Sequence, residues 1–150
     1  MSVGDDGSNV LAASQNAEIF VWNAPGRSGI GGGRGDTGGK GEYEPVVNFF
    51  AHEQGYCIKA KLSPDCKTLV TTGSDKTARL WDTTTWSMVR LMSSHQQWVW
   101  DAVYSADSSY LVTASSDHSA RLWSLRTGEV VRQYNGHQNA VTAVALNDCT

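Results

Sequence analysis

The chain has 150 residues, a formal net charge of −3 at pH 7 and an isoelectric point near 5.7, a balance that excludes an electrostatic nucleic-acid binder. No apolar run approaches the roughly 18 residues of a membrane-spanning helix, and the first residues, MSVGDDGSN, lack the basic and apolar regions of a signal peptide. Three widely spaced cysteines and four histidines match neither a disulfide framework nor a zinc motif. We therefore expect a soluble, reduced, intracellular protein.

The first repeating unit, residues 1–51, is degenerate. Its β-rich runs predict three strands, at residues 10–14, 18–22 and 46–50. Met1-Ser2 is similar to Leu62-Ser63, which stands at the end of the first strand in a later unit. We therefore expect the first strand of this unit to be almost wholly missing.

Residues 26–41, GRSGIGGGRGDTGGKG, contain nine glycines in sixteen residues. Because glycine loses the most entropy on ordering, this composition predicts a flexible surface loop within the first unit. Residues 33–38 match the G-x-G-x-x-G pattern of dinucleotide sites, but the parallel strand and the helix that such a site needs are missing around it. Arg34-Gly35-Asp36 matches an adhesion tripeptide, yet no secretion signal accompanies it. We interpret the segment as a linker.

Two complete units follow at residues 52–94 and 95–136, and a partial unit occupies residues 137–150. Each complete unit contains four β-rich runs separated by turn residues. The predicted strands are residues 56–62, 68–73, 77–82 and 87–92, then 98–104, 110–115, 120–123 and 129–134, and finally 140–146.

The complete units repeat one sequence pattern. Residues 69–82 and 111–124 are identical at 9 of 14 positions, and Trp81 and Trp123 lie 42 residues apart. This period and the strand content are typical of WD repeats, which recur every 40–45 residues or so. We predict an all-β fold, a single WD-repeat β-propeller segment over residues 1–150 with about three blades' worth of strands, whereas a closed ring usually needs about 4–8 blades.

His95, Asp117 and Ser115 resemble a Ser-His-Asp nucleophilic set. A similar trio recurs in the preceding unit, and since a catalytic site is needed only once, we interpret the set as structural. The resemblance to WD repeats implies a buried hydrogen-bonded chain in each blade, which links a tryptophan, a threonine, a histidine and an aspartate. The implied members are His52, Thr71, Asp75 and Trp81 in one blade, and His95, Thr113, Asp117 and Trp123 in the next.

Trp98 and Trp100 alternate along one predicted strand and therefore share a face. Two interpretations remain open: packing between neighbouring blades, or a protein-binding surface, since aromatic residues are common interface anchors. In the second interpretation the surface also includes residues of adjacent loops and of the preceding blade, namely Gln96, Gln97, Tyr56, Ser116 and His118.

The stretch of residues 95–148 resembles the C-terminal end of the G-protein-β-like WD-repeat subunit of target-of-rapamycin (TOR) kinase complexes. The motifs that carry the resemblance are Trp98-Val99-Trp100, Ser115-Ser116-Asp117, Thr127-Gly128-Glu129 and Gly136-His137-Gln138. The resemblance continues upstream through His52 and Leu62-Ser63-Pro64-Asp65 to Val21-Trp22-Asn23, and it covers nearly the whole chain except residues 26–41. Members of that family are longer, seven-bladed propellers, so the resemblance implies that this chain is a fragment of such a ring.

The resemblance also implies a function. It points to a non-catalytic scaffold subunit in growth and nutrient signalling, which binds and stabilises the TOR kinase domain and meets other TOR-complex subunits. It implies no cofactor, metal, nucleic acid, small-molecule substrate or membrane insertion. The implied location is cytoplasmic, or peripheral at endomembranes through the complex.

A second class of function remains open, a generic WD-repeat adaptor such as a ubiquitin-ligase substrate receptor or a G-protein-β-like scaffold. Four further repeats upstream would favour the TOR-complex subunit, and an added helical or ligase-recruiting domain would favour the adaptor. An enzyme ranks third, because no polar constellation stands apart from the repeat.

Overall fold

The computed structural model describes residues 2–3, 9–23 and 44–147, and these contain twelve strands and no helix. The strands form three antiparallel sheets of four strands each. The described ranges therefore hold no helix that is long and apolar enough to cross a membrane. The predicted loop at residues 26–41 lies outside them. The all-β propeller architecture predicted from the repeat is confirmed.

The first sheet has the order β1-β2-β3-β4, with β1 at Ser2–Val3, β2 at Asn9–Ala13, β3 at Glu18–Asn23 and β4 at Glu44–Phe50. Its first strand is very short, as predicted, but the predicted alignment of Met1 with Leu62 is wrong by two residues. Val3 pairs with Val10 in the way that Leu62 pairs with Leu69. The similarity of Met-Ser to Leu-Ser was misleading, because the hydrophobic pattern of a whole strand and the geometry of its turn set the register, and two residues carry too little of that pattern.

The second and third sheets are close copies of each other. The second comprises β5 at Cys57–Leu62, β6 at Thr68–Gly73, β7 at Ala78–Asp82 and β8 at Met88–Met92. The third comprises β9 at Val99–Tyr104, β10 at Tyr110–Ser115, β11 at Ala120–Ser124 and β12 at Val130–Tyr134. Leu69 pairs with Trp81, and 42 residues later Leu111 pairs with Trp123.

The turns repeat as faithfully as the strands. The turn between the second and third strands of each sheet contains one residue with positive φ, which is Ala17, Lys76 or His118. The turn after the third strand has Trp86 at φ 54° in the second sheet and Gly128 at φ 80° in the third. Only a fold that builds the same hairpin each time places residues of such different chemistry in the same unusual backbone conformation.

The predicted strand at residues 140–146 is wrong, because the structure has no strand after Tyr134 in the described part of the chain. A strand requires a hydrogen-bonded neighbour, and no further strand stands beside this segment. It lies instead along the third sheet, where Val141 N–H donates to the carbonyl of Ser115 at 3.0 Å and the Val141 side chain is buried.

Two apolar clusters hold the three sheets together. The cluster between the first and second sheets includes Leu11, Ile19, Val21, Leu69 and Trp81. The cluster between the second and third sheets includes Val70, Leu80, Met92, Leu111 and Trp123. The second sheet is therefore covered on both faces, while the first and third sheets each use one face for the core.

Candidate functional site

In the second sheet, four side chains form one continuous chain of hydrogen bonds. Trp81 Nε1–H donates to Thr71 Oγ1 at 3.0 Å, and Thr71 Oγ1 lies 3.0 Å from His52 Nε2. His52 Nδ1 lies 3.0 Å from both carboxylate oxygens of Asp75. Since the carboxylate can only accept, Nδ1–H donates to it, Nε2 accepts from the threonine hydroxyl, and every proton in the chain is used once.

The third sheet has the same chain with shorter distances. Trp123 Nε1–H donates to Thr113 Oγ1 at 2.9 Å, Thr113 Oγ1 lies 2.7 Å from His95 Nε2, and His95 Nδ1 lies 2.8 Å from Asp117 Oδ2. The structure thus brings together all eight residues that the sequence assigned to the two chains. We call these two sets the hydrogen-bond chains.

In the hydrogen-bond chain of the third sheet, the electrostatics favour a neutral His95 beside an ionised Asp117. Burial lowers the pKa of His95, although the Asp117 carboxylate acts in the opposite direction. Burial of Asp75 raises its pKa, but hydrogen bonds from His52 and Thr77 outweigh it and lower the pKa to about 2. The pKa of Asp117 is likewise held well below its usual range, because bonds from Ser119, His95 and the Gln96 N–H outweigh its burial.

The geometry gives these residues no catalytic arrangement. Ser115, the candidate nucleophile, does not face His95, since its hydroxyl donates to the carbonyl of Gln97 at 3.2 Å and accepts from Asp117 N–H at 3.2 Å. The threonine that does contact His95 is fully buried and already bonded to Trp123. Within the described ranges, no group of three or more His, Cys, Asp or Glu side chains could hold a metal ion.

Sequence reasoning missed an arginine that extends each hydrogen-bond chain. Arg79 donates through Nη2 to Asp75 Oδ2 at 3.0 Å and through Nη1 to the carbonyl of Ala51 at 2.7 Å, so it ties the aspartate to the end of the preceding blade. Arg121 pairs with Asp117 more loosely, at 3.7 Å. The signal was present in both units, as an arginine four residues after each aspartate.

The first sheet has no such chain. Ala12 stands where Thr71 stands in the second sheet, and Asn16 and Phe20 occupy the places of the aspartate and the arginine. Trp22 therefore has no threonine beside it and stacks on Phe20 instead, with ring centroids 5.8 Å apart. The degenerate sequence of this unit thus has a direct structural counterpart.

The two tryptophans of the predicted protein-binding surface lie together at the start of β9. The rings of Trp98 and Trp100 are 5.7 Å apart at an angle of 45°, and Trp98 is 43% exposed. Trp100 Nε1–H donates to Ser116 Oγ at 2.5 Å, and Ser116 N–H donates to the carbonyl of Trp98 at 2.9 Å. Neither ring belongs to an apolar core cluster. We call Trp98, Trp100 and Ser116 the tryptophan surface.

The other predicted contact residues are placed less closely. Gln96 and Gln97 are exposed in the loop that precedes Trp98, and Gln96 N–H donates to Asp117 Oδ2 at 3.1 Å. His118 is exposed in the turn after Asp117, and Tyr56 is 52% exposed on the preceding sheet. Among the described side chains, no hydrogen bond or ring contact joins Tyr56 or His118 to the tryptophans.

In the second and third sheets, a tryptophan is joined through a threonine and a histidine to an aspartate in a turn. This repeated arrangement defines a class of protein. The family described as "WD domain, G-beta repeat" matches residues 43–82 and 86–124, which together are more than half of the chain. The chain belongs to the WD-repeat family.

Within that family the chain is similar to one group of subunits. It is 40% identical over 93 residues to the target of rapamycin complex subunit LST8-1 of Arabidopsis thaliana, covering 62% of this chain and 27% of the relative. It is 44% identical over 83 residues to the target of rapamycin complex subunit wat1 of Schizosaccharomyces pombe, covering 55% and 23%. It is 36% identical over 105 residues to the LST8 homolog of Drosophila pseudoobscura pseudoobscura, covering 68% and 30%. The matched part thus spans less than a third of each of these relatives.

Proposed function

We propose that this chain is a non-catalytic WD-repeat subunit of a TOR complex, and that it binds and stabilises the TOR kinase domain. The similarity to proteins named as TOR complex subunits supports the choice of complex. The observation that carries the binding role is the tryptophan surface, a pair of large rings that stands outside both core clusters. The proposal includes a cytoplasmic location, or a peripheral one at endomembranes through the complex.

The tryptophan surface has the properties of an interface anchor. A hydrogen bond to Ser116 holds Trp100 in place. The ring of Trp98 packs against the ring of Trp100, and 43% of the Trp98 surface is exposed. A ring already fixed in this way loses little conformational entropy when a partner covers it. Buried interface aromatics of this kind usually contribute about 2 kcal/mol or more to binding.

The competing interpretation, packing between blades, makes a different prediction for stability. Residues that pack between blades here are almost fully covered, as Trp81 at 7% exposure and Trp123 at 3% show. Trp98 is several times more exposed than either, so its removal should lower the stability of the fold little.

Gln96 and Gln97 would make polar contacts around Trp98 and Trp100, at the rim of the same interface.

Co-precipitation of TOR kinase from the protein's own cells tests the proposal. We expect Trp98→Ala and Trp100→Ala to lose most of the kinase while their thermal unfolding stays close to that of the unchanged protein. Tyr110→Ala is the matched control, since Tyr110 is 41% exposed at the opposite end of the same sheet. Undiminished kinase recovery with both tryptophan variants, or equal loss with the Tyr110 variant, would contradict the proposed surface.

A further inference from the structure

The loop that leads into the tryptophan surface is held by the turn that follows β10. Asp117 Oδ2 accepts from Gln96 N–H at 3.1 Å. Ser115 Oγ donates to the carbonyl of Gln97 at 3.2 Å. Ser116, which lies between them, makes the two bonds to the tryptophan surface described above. Three consecutive residues of the turn thus bond three consecutive residues of the loop.

The equivalent loop of the second sheet is held differently. It is one residue longer and closes on itself, since Gly55 N–H donates to the carbonyl of His52 at 3.3 Å. Asp75 Oδ2 accepts from Arg79 Nη2 at 3.0 Å. In the third sheet, Asp117 Oδ2 lies 3.7 Å from the equivalent arginine and accepts from the loop instead. The two carboxylates therefore bond different parts of their blades.

A single position accounts for this difference. Gly73 ends β6, and Ser115 stands in the same place at the end of β10. A Cβ on Gly73 would collide with His52 Nδ1 and would lie 2.7 Å from Asp75 Oδ1. Because Ser115 carries this Cβ, the histidine and the carboxylate of the third sheet cannot adopt the arrangement of the second. The serine thereby directs Asp117 to the loop.

The serine and the tryptophan pair occur on the same blade. The second sheet has the glycine, and there Tyr56 and Ile58 stand in the places of Trp98 and Trp100. The larger pair of rings is thus found on the blade whose turn bonds the loop.

From these observations we propose that Ser115 is a positioning residue for the tryptophan surface. Its Cβ directs Asp117 to the loop, its hydroxyl bonds the loop as well, and the loop fixes the two rings. Ser115 is fully buried, so it acts through the loop and not by touching a partner. A loop that is already ordered loses less conformational entropy on binding, so a fixed surface binds more tightly. The identity of the partner, the TOR kinase domain, rests on the proposed function.

Hydrogen exchange of the Trp100 indole N–H, followed by NMR in the full chain, tests the positioning without any partner. Ser115→Gly gives the third sheet the residue with which the second sheet folds, so we expect a folded chain in which this proton exchanges several-fold faster. Ser119→Ala is the matched control, because buried Ser119 donates to the other oxygen of Asp117 at 2.6 Å. The control removes a hydroxyl from the same carboxylate on the side away from the loop, so it should leave the indole exchange unchanged.

Affinity for the TOR kinase domain, measured well below the Tm of every variant, tests the consequence for binding. We expect Ser115→Gly to weaken binding about threefold to tenfold, because the partner must then order the loop and the rings. Ser119→Ala should bind as the unchanged protein does. If Ser115→Gly unfolds the chain, Ser115→Ala replaces it, since alanine keeps the Cβ and loses only the hydroxyl.

The outcomes separate this proposal from the proposed function. Unchanged indole exchange in a folded Ser115 variant, or equal acceleration by Ser119→Ala, would overturn the role of Ser115. An affinity that Trp98→Ala lowers and Ser115→Gly does not would also overturn it, while the proposed function would stand. If Trp98→Ala leaves the affinity unchanged, the proposed function is wrong, and the indole exchange alone decides whether Ser115 positions the rings.

Discussion

The hydrogen-bond chains make a specific prediction, because β6 contains two equally buried threonines of which only one has a hydrogen-bonded hydroxyl. Thr71 and Thr72 are both fully buried. Thr71 Oγ1 contacts Trp81 and His52, whereas Thr72 Oγ1 has no hydrogen-bond partner among the described residues. Replacing each by valine, which has nearly the same shape, changes the hydroxyl and little else.

Thr71→Val leaves two buried polar groups without partners, the indole N–H of Trp81 and Nε2 of His52. Each such group costs about 1–3 kcal/mol, so we expect the free energy of unfolding to fall by about 2–6 kcal/mol and Tm to fall by roughly 4–24 °C. Thr72→Val removes a hydroxyl that is desolvated without compensation, and it should be neutral or slightly stabilising. Urea and thermal denaturation of both variants at one protein concentration measures the difference. Equal destabilisation by the two substitutions would refute the assignment.

Three further predictions follow from the turns, the titrating groups and the loop. Gly128→Ala should destabilise the fold by about 1–2 kcal/mol, because Gly128 has a φ of 80° that L residues rarely adopt and the new Cβ would displace the Arg90 side chain from the carbonyl of Thr127. An unchanged urea midpoint would contradict this. The free energy of unfolding should fall as the pH drops below 6.5, because His95 takes up a proton more readily in the unfolded chain than in its buried site. It should fall again as the pH drops from 3.8 toward about 2 and Asp75 is protonated. A free energy of unfolding that rises between pH 6.5 and 5 in a series of urea denaturations would contradict this. Shortening residues 26–41 to a tight turn should leave Tm unchanged or slightly higher, since doubling a loop costs only about 0.6 kcal/mol, and a clear drop would show that the loop supports the fold.

The repeat made most of the fold predictable from sequence. Period-2 apolar alternation and turn residues located eleven strands within a few residues, because most of these strands bury one or both faces against a neighbouring sheet. Residues 140–146 carry the same alternation, yet form no strand, since the pattern reports which side chains can be buried and not whether a partner strand is present. The register of β1 was missed for a related reason, because two residues offer too little pattern to align.

The site was predictable to the extent that it repeats. His52 and His95 precede their tryptophans by nearly the same distance, which marked them as part of the repeat, and the resemblance to WD repeats then implied the hydrogen-bond chains. Arg79 escaped notice, because an exposed-looking basic residue in a strand gives no sign that it bonds a buried carboxylate and a backbone carbonyl. The contact between Trp98 and Trp100 followed from their alternation, whereas the placement of Tyr56 relative to that pair depends on how the second and third sheets pack, which the alternation does not report.

We propose two separate roles: the hydrogen-bond chains stabilise each blade from within, and the tryptophan surface binds the TOR kinase domain. Affinity measurements with a purified TOR kinase domain, made well below the Tm of every variant, test both roles in one experiment. We expect Trp98→Ala to weaken binding roughly thirtyfold, the equivalent of about 2 kcal/mol, without lowering Tm, and Thr71→Val to lower Tm without changing the affinity. Unchanged affinity for the folded Trp98 variant, or an affinity that follows Tm through both variants, would contradict the account.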